Sequence, residues 1–108
     1  MPRRVVKLLD LVDDADLIAE YERCHAPGAV WPEVTAHIRA TGVLGMEIWR
    51  FVDRMVMIAE VADDFPRDLP APAVEGEWEA LMDRFQRRIP GTPKGTKWAE
   101  ADRIFTLD

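Results

Sequence analysis

Cysteine is almost missing from this chain of 108 residues: Cys24 stands alone, so no internal disulfide can form, and no CxxC or Cys/His spacing of a zinc site surrounds it. That points to a reducing setting, the cytoplasm. No stretch of about 18 uncharged apolar residues is present either, which leaves no helical membrane span. The opening "MPRRVVKLLDLVDDAD" begins basic and then apolar, but Lys7, Asp10, Asp13 and Asp14 cut the run too short for a secretory leader. Basic excess is lacking too: 14 Lys and Arg face 20 Asp and Glu, a net charge of -6 that repels a polyanion and argues against nucleic acid as a partner. A glycine-rich phosphate loop, a Ser/His/Asp order motif and a zinc signature are all absent, so nucleotide chemistry is not indicated.

What is present is a soluble composition, 48% hydrophobic and 31% charged, over a length that suits one domain, residues 1–108. Residues 4–12, "RVVKLLDLV", are β-branched and aliphatic and read as a first strand. Asp13 or Asp14 then caps a helix over about 14–25, with Leu17, Ile18 and Tyr21 at helical spacing. "APG" stops it. Pro32 opens a second helix carrying Val34 and Ile38 on its buried side, and Gly42 ends it. Residues 43–61 form two β-rich runs joined at Asp53-Arg54, a hairpin whose alternation sets Met46, Ile48 and Arg50 on one face and Glu47, Trp49 and Phe51 on the other. Pro66, Pro70 and Pro72 make residues 62–77 a loop. Trp78, Leu81, Met82 and Phe85 then fall at i, i+3, i+4 and i+7 in a third helix through "EWEALMDRFQRR", and "DRIFTL", residues 102–107, reads as a final strand. The order β-α-α-β-β-α-β is α+β, ferredoxin-like, with helices on one face of the sheet. Its other face carries apolar side chains, and dimerisation through the sheet is the economical cover, making a dimeric α+β barrel.

The stretch "YERCHAPGAVWPE", residues 21–33, concentrates the chemistry. Tyr21 and His25 are four residues apart and reach one point beside the helix end, where the dipole favours an imidazolium and histidine suits proton transfer. The same spacing suits a capping histidine with a half-buried tyrosine. Trp31 and Glu33 can fold back beside His25, although Pro-Glu is also ordinary helix-start chemistry. Glu33 and His37 are spaced to share a metal but have no third ligand at known spacing, so no metal site is assigned. Glu47 and Glu60, on adjacent strands, form either an acid/base pair or partners for arginines.

Taken in order, Tyr21-x3-His25, Trp31-Pro32-Glu33, Gly42 before "MEIWRF", Trp78 before Leu81-Met82, and the closing "RIFTL" resemble the L-rhamnose mutarotase family along nearly the whole chain. The resemblance implies a homodimeric ferredoxin-like isomerase that interconverts the α and β anomers of a 6-deoxy-L-hexose, L-rhamnose or, in a related group, L-fucose, without a cofactor. It implies His25 as proton donor, Tyr21 as sugar contact and Trp78 as the stacking aromatic. Met46 stands where rhamnose-type members carry a tyrosine, and Glu79 where they often carry a second tryptophan; both positions are implied sugar contacts. Glu33, Glu47 and Tyr21 are open candidates for the second acid/base group. The architecture also suits a cofactor-free monooxygenase or a non-catalytic ligand-binding and dimerisation module.

Overall fold

In the computed structural model, which describes residues 1–108, the chain runs β1 (Arg3–Leu11), α1 (Ala15–Cys24), α2 (Pro32–Ala40), β2 (Val43–Phe51), β3 (Arg54–Val61), α3 (Ala73–Asp83), β4 (Gln86–Arg87) and β5 (Ala99–Glu100). The sheet is antiparallel in the order β2-β3-β1-β4, the ferredoxin-like arrangement, with β5 on the same edge of β1 as a second short segment. β1 sits at the centre because its alternation is apolar toward the helices: Val5, Leu9 and Leu11 are buried there. Leu9, Leu11 and Met55 from the sheet meet Tyr21, Val34, Trp78, Met82 and Phe85 in the main core. A smaller cluster of Val5, Val43, Ala59 and Val61 fills the other end.

Local chemistry accounts for the boundaries. The Asp14 carboxylate caps α1 by accepting from the backbone N–H groups of Asp16 and Leu17, both at 3.0 Å, and His25 closes the other end. Pro32 opens α2, where its missing N–H has nothing to lose. Gly42 follows the C-cap Thr41 at φ +114, a conformation that L side chains rarely adopt, and a Cβ there would lie 3.2 Å from that of Phe65.

Three expectations change. The third helix begins at Ala73, not near Trp78, and stops at Asp83 rather than running to Arg88. Pro72 is its N-cap, so the last proline of a segment read as loop marks the helix start, one position earlier than Pro32 stands in α2, where Trp31 is the N-cap. Beyond Asp83 the chain turns inward: Phe85 becomes 1% exposed, and its carbonyl accepts from the Val12 N–H at 2.8 Å. The final strand is not residues 102–107. Two-residue strands β4 and β5 pair with β1 instead, Ala101 donates to the Val6 carbonyl at 2.8 Å, and beyond it the tail finds no neighbour to pair with. Ile104 at 96%, Phe105 at 74% and Leu107 at 85% exposure are consequently left in water. The hairpin turn, placed at Asp53-Arg54, is Val52-Asp53, with Val52 at φ +56.

One irregularity positions the site. Val43 pairs with Val61, but Gly45 pairs with Glu60, so Leu44 is an extra residue and the register shifts by one. After the bulge, Met46, Ile48 and Arg50 lie opposite Ala59, Met57 and Met55 on the helix side of the sheet. Without it they would face the other way.

Candidate functional site

Helix α1 and strand β2 border an open cleft of about 570 Å³ lined by Tyr21, Glu22, His25, Met46, Glu47, Ile48, Trp49, Arg50 and Met55. A larger hollow of about 780 Å³ lies elsewhere, between the C-terminal tail and the first residues of β1, and holds none of these groups. The chemistry resides in the smaller one, where a histidine, a phenol and an ion pair converge.

Tyr21 and His25 are successive turns of one helix face, and their rings stack with centroids 4.3 Å apart. His25 Nδ1 lies 2.9 Å from the Tyr21 carbonyl oxygen. A carbonyl only accepts, so Nδ1 carries the hydrogen and Nε2 of the neutral ring keeps its lone pair. Behind the imidazole stands Trp78, edge-on with centroids 5.6 Å apart, and behind Trp78 stands Trp31 at 5.1 Å. Trp78 is 6% exposed and forms the rear wall of the imidazole rather than the lining of the cleft.

The Tyr21 phenol reaches into the core. Phe85 meets its ring edge-on at 5.8 Å, and Gln86 Nε2 donates to its hydroxyl at 3.3 Å. Burial raises the Tyr21 pKa; the Gln86 hydrogen bond and the positive charge of Lys97 work against that rise, and Glu79 and Cys24 add to it. The hydroxyl therefore stays protonated at neutral pH, able to donate.

At the cleft mouth Arg50 donates from Nε to Glu22 at 2.6 Å and from Nη1 to the Val52 carbonyl at 2.7 Å. Both side chains are substantially solvated, so the pair adds little stability, on the order of 0–1 kcal/mol. Its effect is to present a cation and a carboxylate next to His25. Neither Glu22 nor Gln86 was singled out by spacing. Arg50 did leave a signal: it is a charge on the otherwise apolar Met46 and Ile48 face of β2.

Of the remaining sequence candidates, Met46 lines the cleft at 40% exposure. Glu79 does not; it holds Lys97 Nζ at 2.5 Å, and Asp83, one turn on, holds the same ammonium at 2.7 Å. For Lys97, burial alone would lower the pKa, but the hydrogen bonds of Asp83 and Glu79 outweigh it and the pKa is raised. Glu33 is exposed on the first turn of α2, outside the cleft lining. His37 pairs with Glu75 of α3 at 3.3 Å, and no three His, Cys, Asp or Glu side chains are grouped to hold a metal. Glu47 rims the cleft, while Glu60 pairs with Gly45, two residues before Glu47 on the same side of the hairpin.

Comparison with known proteins shows the family. A family model described as L-rhamnose mutarotase matches residues 4–107. An L-fucose mutarotase from Xanthomonas campestris pv. campestris is 48% identical over 111 residues, spanning 97% of this chain and 88% of that protein. An L-rhamnose mutarotase from Verminephrobacter eiseniae is 32% identical over 79 residues, spanning 69% of this chain and 73% of that one. In three dimensions the crystal structure of an L-rhamnose mutarotase from Formosa agariphila superposes with a TM-score of 0.71 over 98% of this chain and 99% of its own, at 16% identity, a likeness of fold. With nearly every residue covered by the family model, this chain belongs to the L-rhamnose mutarotase family and is a carbohydrate isomerase.

Proposed function

We propose that this chain interconverts the α and β anomers of a 6-deoxy-L-hexose, with His25 as the group that moves the proton. One observation carries the reading: in a mutarotase-family chain, the free Nε2 of His25 stands beside a buried phenol in an open cleft. Mutarotation opens a hemiacetal. The anomeric O1–H loses its proton as the C1–O5 bond breaks and O5 gains one; the aldehyde turns over, and the reverse steps close the ring on its other face. Atoms and charge balance with one base, one acid and no external reagent.

In this reading Nε2 of His25 exchanges the proton, Tyr21 donates to a sugar oxygen, Trp78 holds the imidazole from behind, and Met46 shapes the sugar-facing wall. Among the three candidates for the second acid/base group, Tyr21 and Glu47 border the cleft and Glu33 does not. Glu22, also on the cleft, joins them. The Arg50–Glu22 pair suits sugar hydroxyls, which donate to a carboxylate and accept from a guanidinium. L-fucose is the first sugar to test, given the higher identity to the L-fucose mutarotase. The monooxygenase and non-catalytic alternatives draw no support from the comparisons.

The same reading includes a homodimer. On the sheet face away from the helices Trp49 is 62% and Phe51 83% exposed, and the apolar tail is uncovered, surfaces that a second copy would bury. It also includes a cytoplasmic setting, supported by a lone Cys24 with no disulfide partner. Saturation-transfer NMR tests the activity. The expected result is accelerated anomer exchange for L-fucose or L-rhamnose at micromolar protein; no acceleration of either sugar refutes the proposal.

A further inference from the structure

Gln86 is a polar side chain with little structural reason to be where it is. It sits on β4, held in register by pairing with Leu11 and by the adjacent bond from the Val12 N–H to the Phe85 carbonyl. Its amide makes one side-chain contact, the 3.3 Å bond from Nε2 to the Tyr21 hydroxyl, and its Oε1 is buried with no partner. A buried carbonyl left unpaired is destabilising, and an apolar side chain of similar size would avoid that cost. What the glutamine supplies in return is a fixed N–H aimed at the phenol.

A phenolic hydrogen lies near the ring plane, in one of two positions related by a half-turn about the C–O bond. A donor bonded to the oxygen on one side disfavours the hydrogen there and leaves it on the other. Within the chain the Tyr21 hydroxyl accepts from Gln86 and donates to nothing, so its proton is uncommitted. We propose that Gln86 is a positioning residue that fixes the Tyr21 hydroxyl as a hydrogen-bond donor to the sugar. This rests on the mutarotase reading for its consequence, though not for its geometry. Other charged or titratable groups face the phenol: Lys97 from the segment before β5, Glu79 from α3, and Cys24 and His25 from α1 itself. None of them bonds to the hydroxyl.

The chain contains a single tyrosine, so protein labelled with 13C at the tyrosine ζ carbon gives one resonance that reports Tyr21 alone. Two variants are compared with the parent protein. Gln86→Leu removes the donor: the Tyr21 resonance should titrate at higher pH, the melting temperature should not fall, and anomer exchange of the favoured sugar should slow roughly three- to tenfold, as expected for a lost positioning hydrogen bond. Gln86→Glu replaces the donor by an acceptor that captures the phenol's own proton. Its exchange rate should fall further at neutral pH and recover as the pH is lowered through the new carboxyl's titration. The inference is overturned if Gln86→Leu leaves the Tyr21 titration unchanged. It is overturned equally if that variant melts lower with full exchange retained, the mark of a structural role. Should the parent protein accelerate no sugar's exchange, the mutarotase reading fails, and the Tyr21 titration still decides whether Gln86 controls the phenol.

Discussion

Replacing His25 by asparagine separates its two ring nitrogens. The Asn amide can occupy the place of Nδ1 and donate to the Tyr21 carbonyl, the bond that His25 makes at 2.9 Å, while nothing remains where Nε2 stood. Fold and chemistry should then respond very differently. On the side of the fold, the variant loses the ring contacts with Tyr21 at 4.3 Å and Trp78 at 5.6 Å, each worth about 0.5–1.5 kcal/mol and together about 1–3 kcal/mol. For a domain of this length the entropy of unfolding makes 1 kcal/mol about 4 °C, so the melting temperature should drop by about 4–12 °C and unfolding should stay cooperative. On the side of the chemistry, removing a general acid/base group costs about 10²–10⁴ in rate, or about 3–5 kcal/mol of barrier. Saturation-transfer NMR on folded variant, at a temperature well below its melting point, reads the second effect apart from the first. Exchange within about threefold of the parent would refute the assignment of Nε2 as the proton carrier, since no misfolding could then be blamed.

Other outcomes follow from the geometry. Gly42→Ala should cost about 1–3 kcal/mol, because it forces a side chain to φ +114 and pushes its Cβ against that of Phe65, 3.2 Å away; a urea midpoint unchanged from the parent would contradict this. Asp10 is buried and accepts two bonds from Arg54, at 2.8 and 3.1 Å, which hold its carboxyl below the ordinary carboxylate range. A carboxyl depressed in the folded state adds stability above its unfolded value, near 3.8, and loses it as pH falls through the folded one. Asp10→Asn should therefore be less stable by about 1–3 kcal/mol at pH 7, with the gap closing in acid, as read by chemical denaturation across pH. The proposed homodimer predicts that light scattering finds the parent as a dimer and the Trp49→Glu, Phe105→Glu double variant as a monomer; a variant of unchanged dimer mass would remove the sheet face and tail from the interface, and a monomeric parent would refute the dimer itself.

Periodicity sufficed for what is local. The β-branched and aliphatic run of residues 4–12 indicated a strand, Asp13 or Asp14 and then Pro32 indicated two helix starts, and the i, i+4 spacing of Tyr21 and His25 placed both rings on one side of α1. These depend on contacts within a turn or a strand, which a short window of residues contains. Pro72 shows the limit of that window: among three closely spaced prolines, only the chain's return toward the core made one of them a helix start.

What tertiary structure alone decided is which groups meet. Alternation put Met46, Ile48 and Arg50 on one face, but the extra residue at Leu44 determined that this face looks toward His25, because a shift of one in register inverts a strand. Gln86 met Tyr21, 65 positions away, only because β4 pairs with the end of β1. Glu79 was diverted from the cleft by Lys97, brought to it from a loop 18 residues on. The apolar tail "RIFTL" has the pattern of a strand, yet a strand exists only beside another: the tail leaves β1 after Ala101 and pairs with no strand, so the pattern alone did not make one.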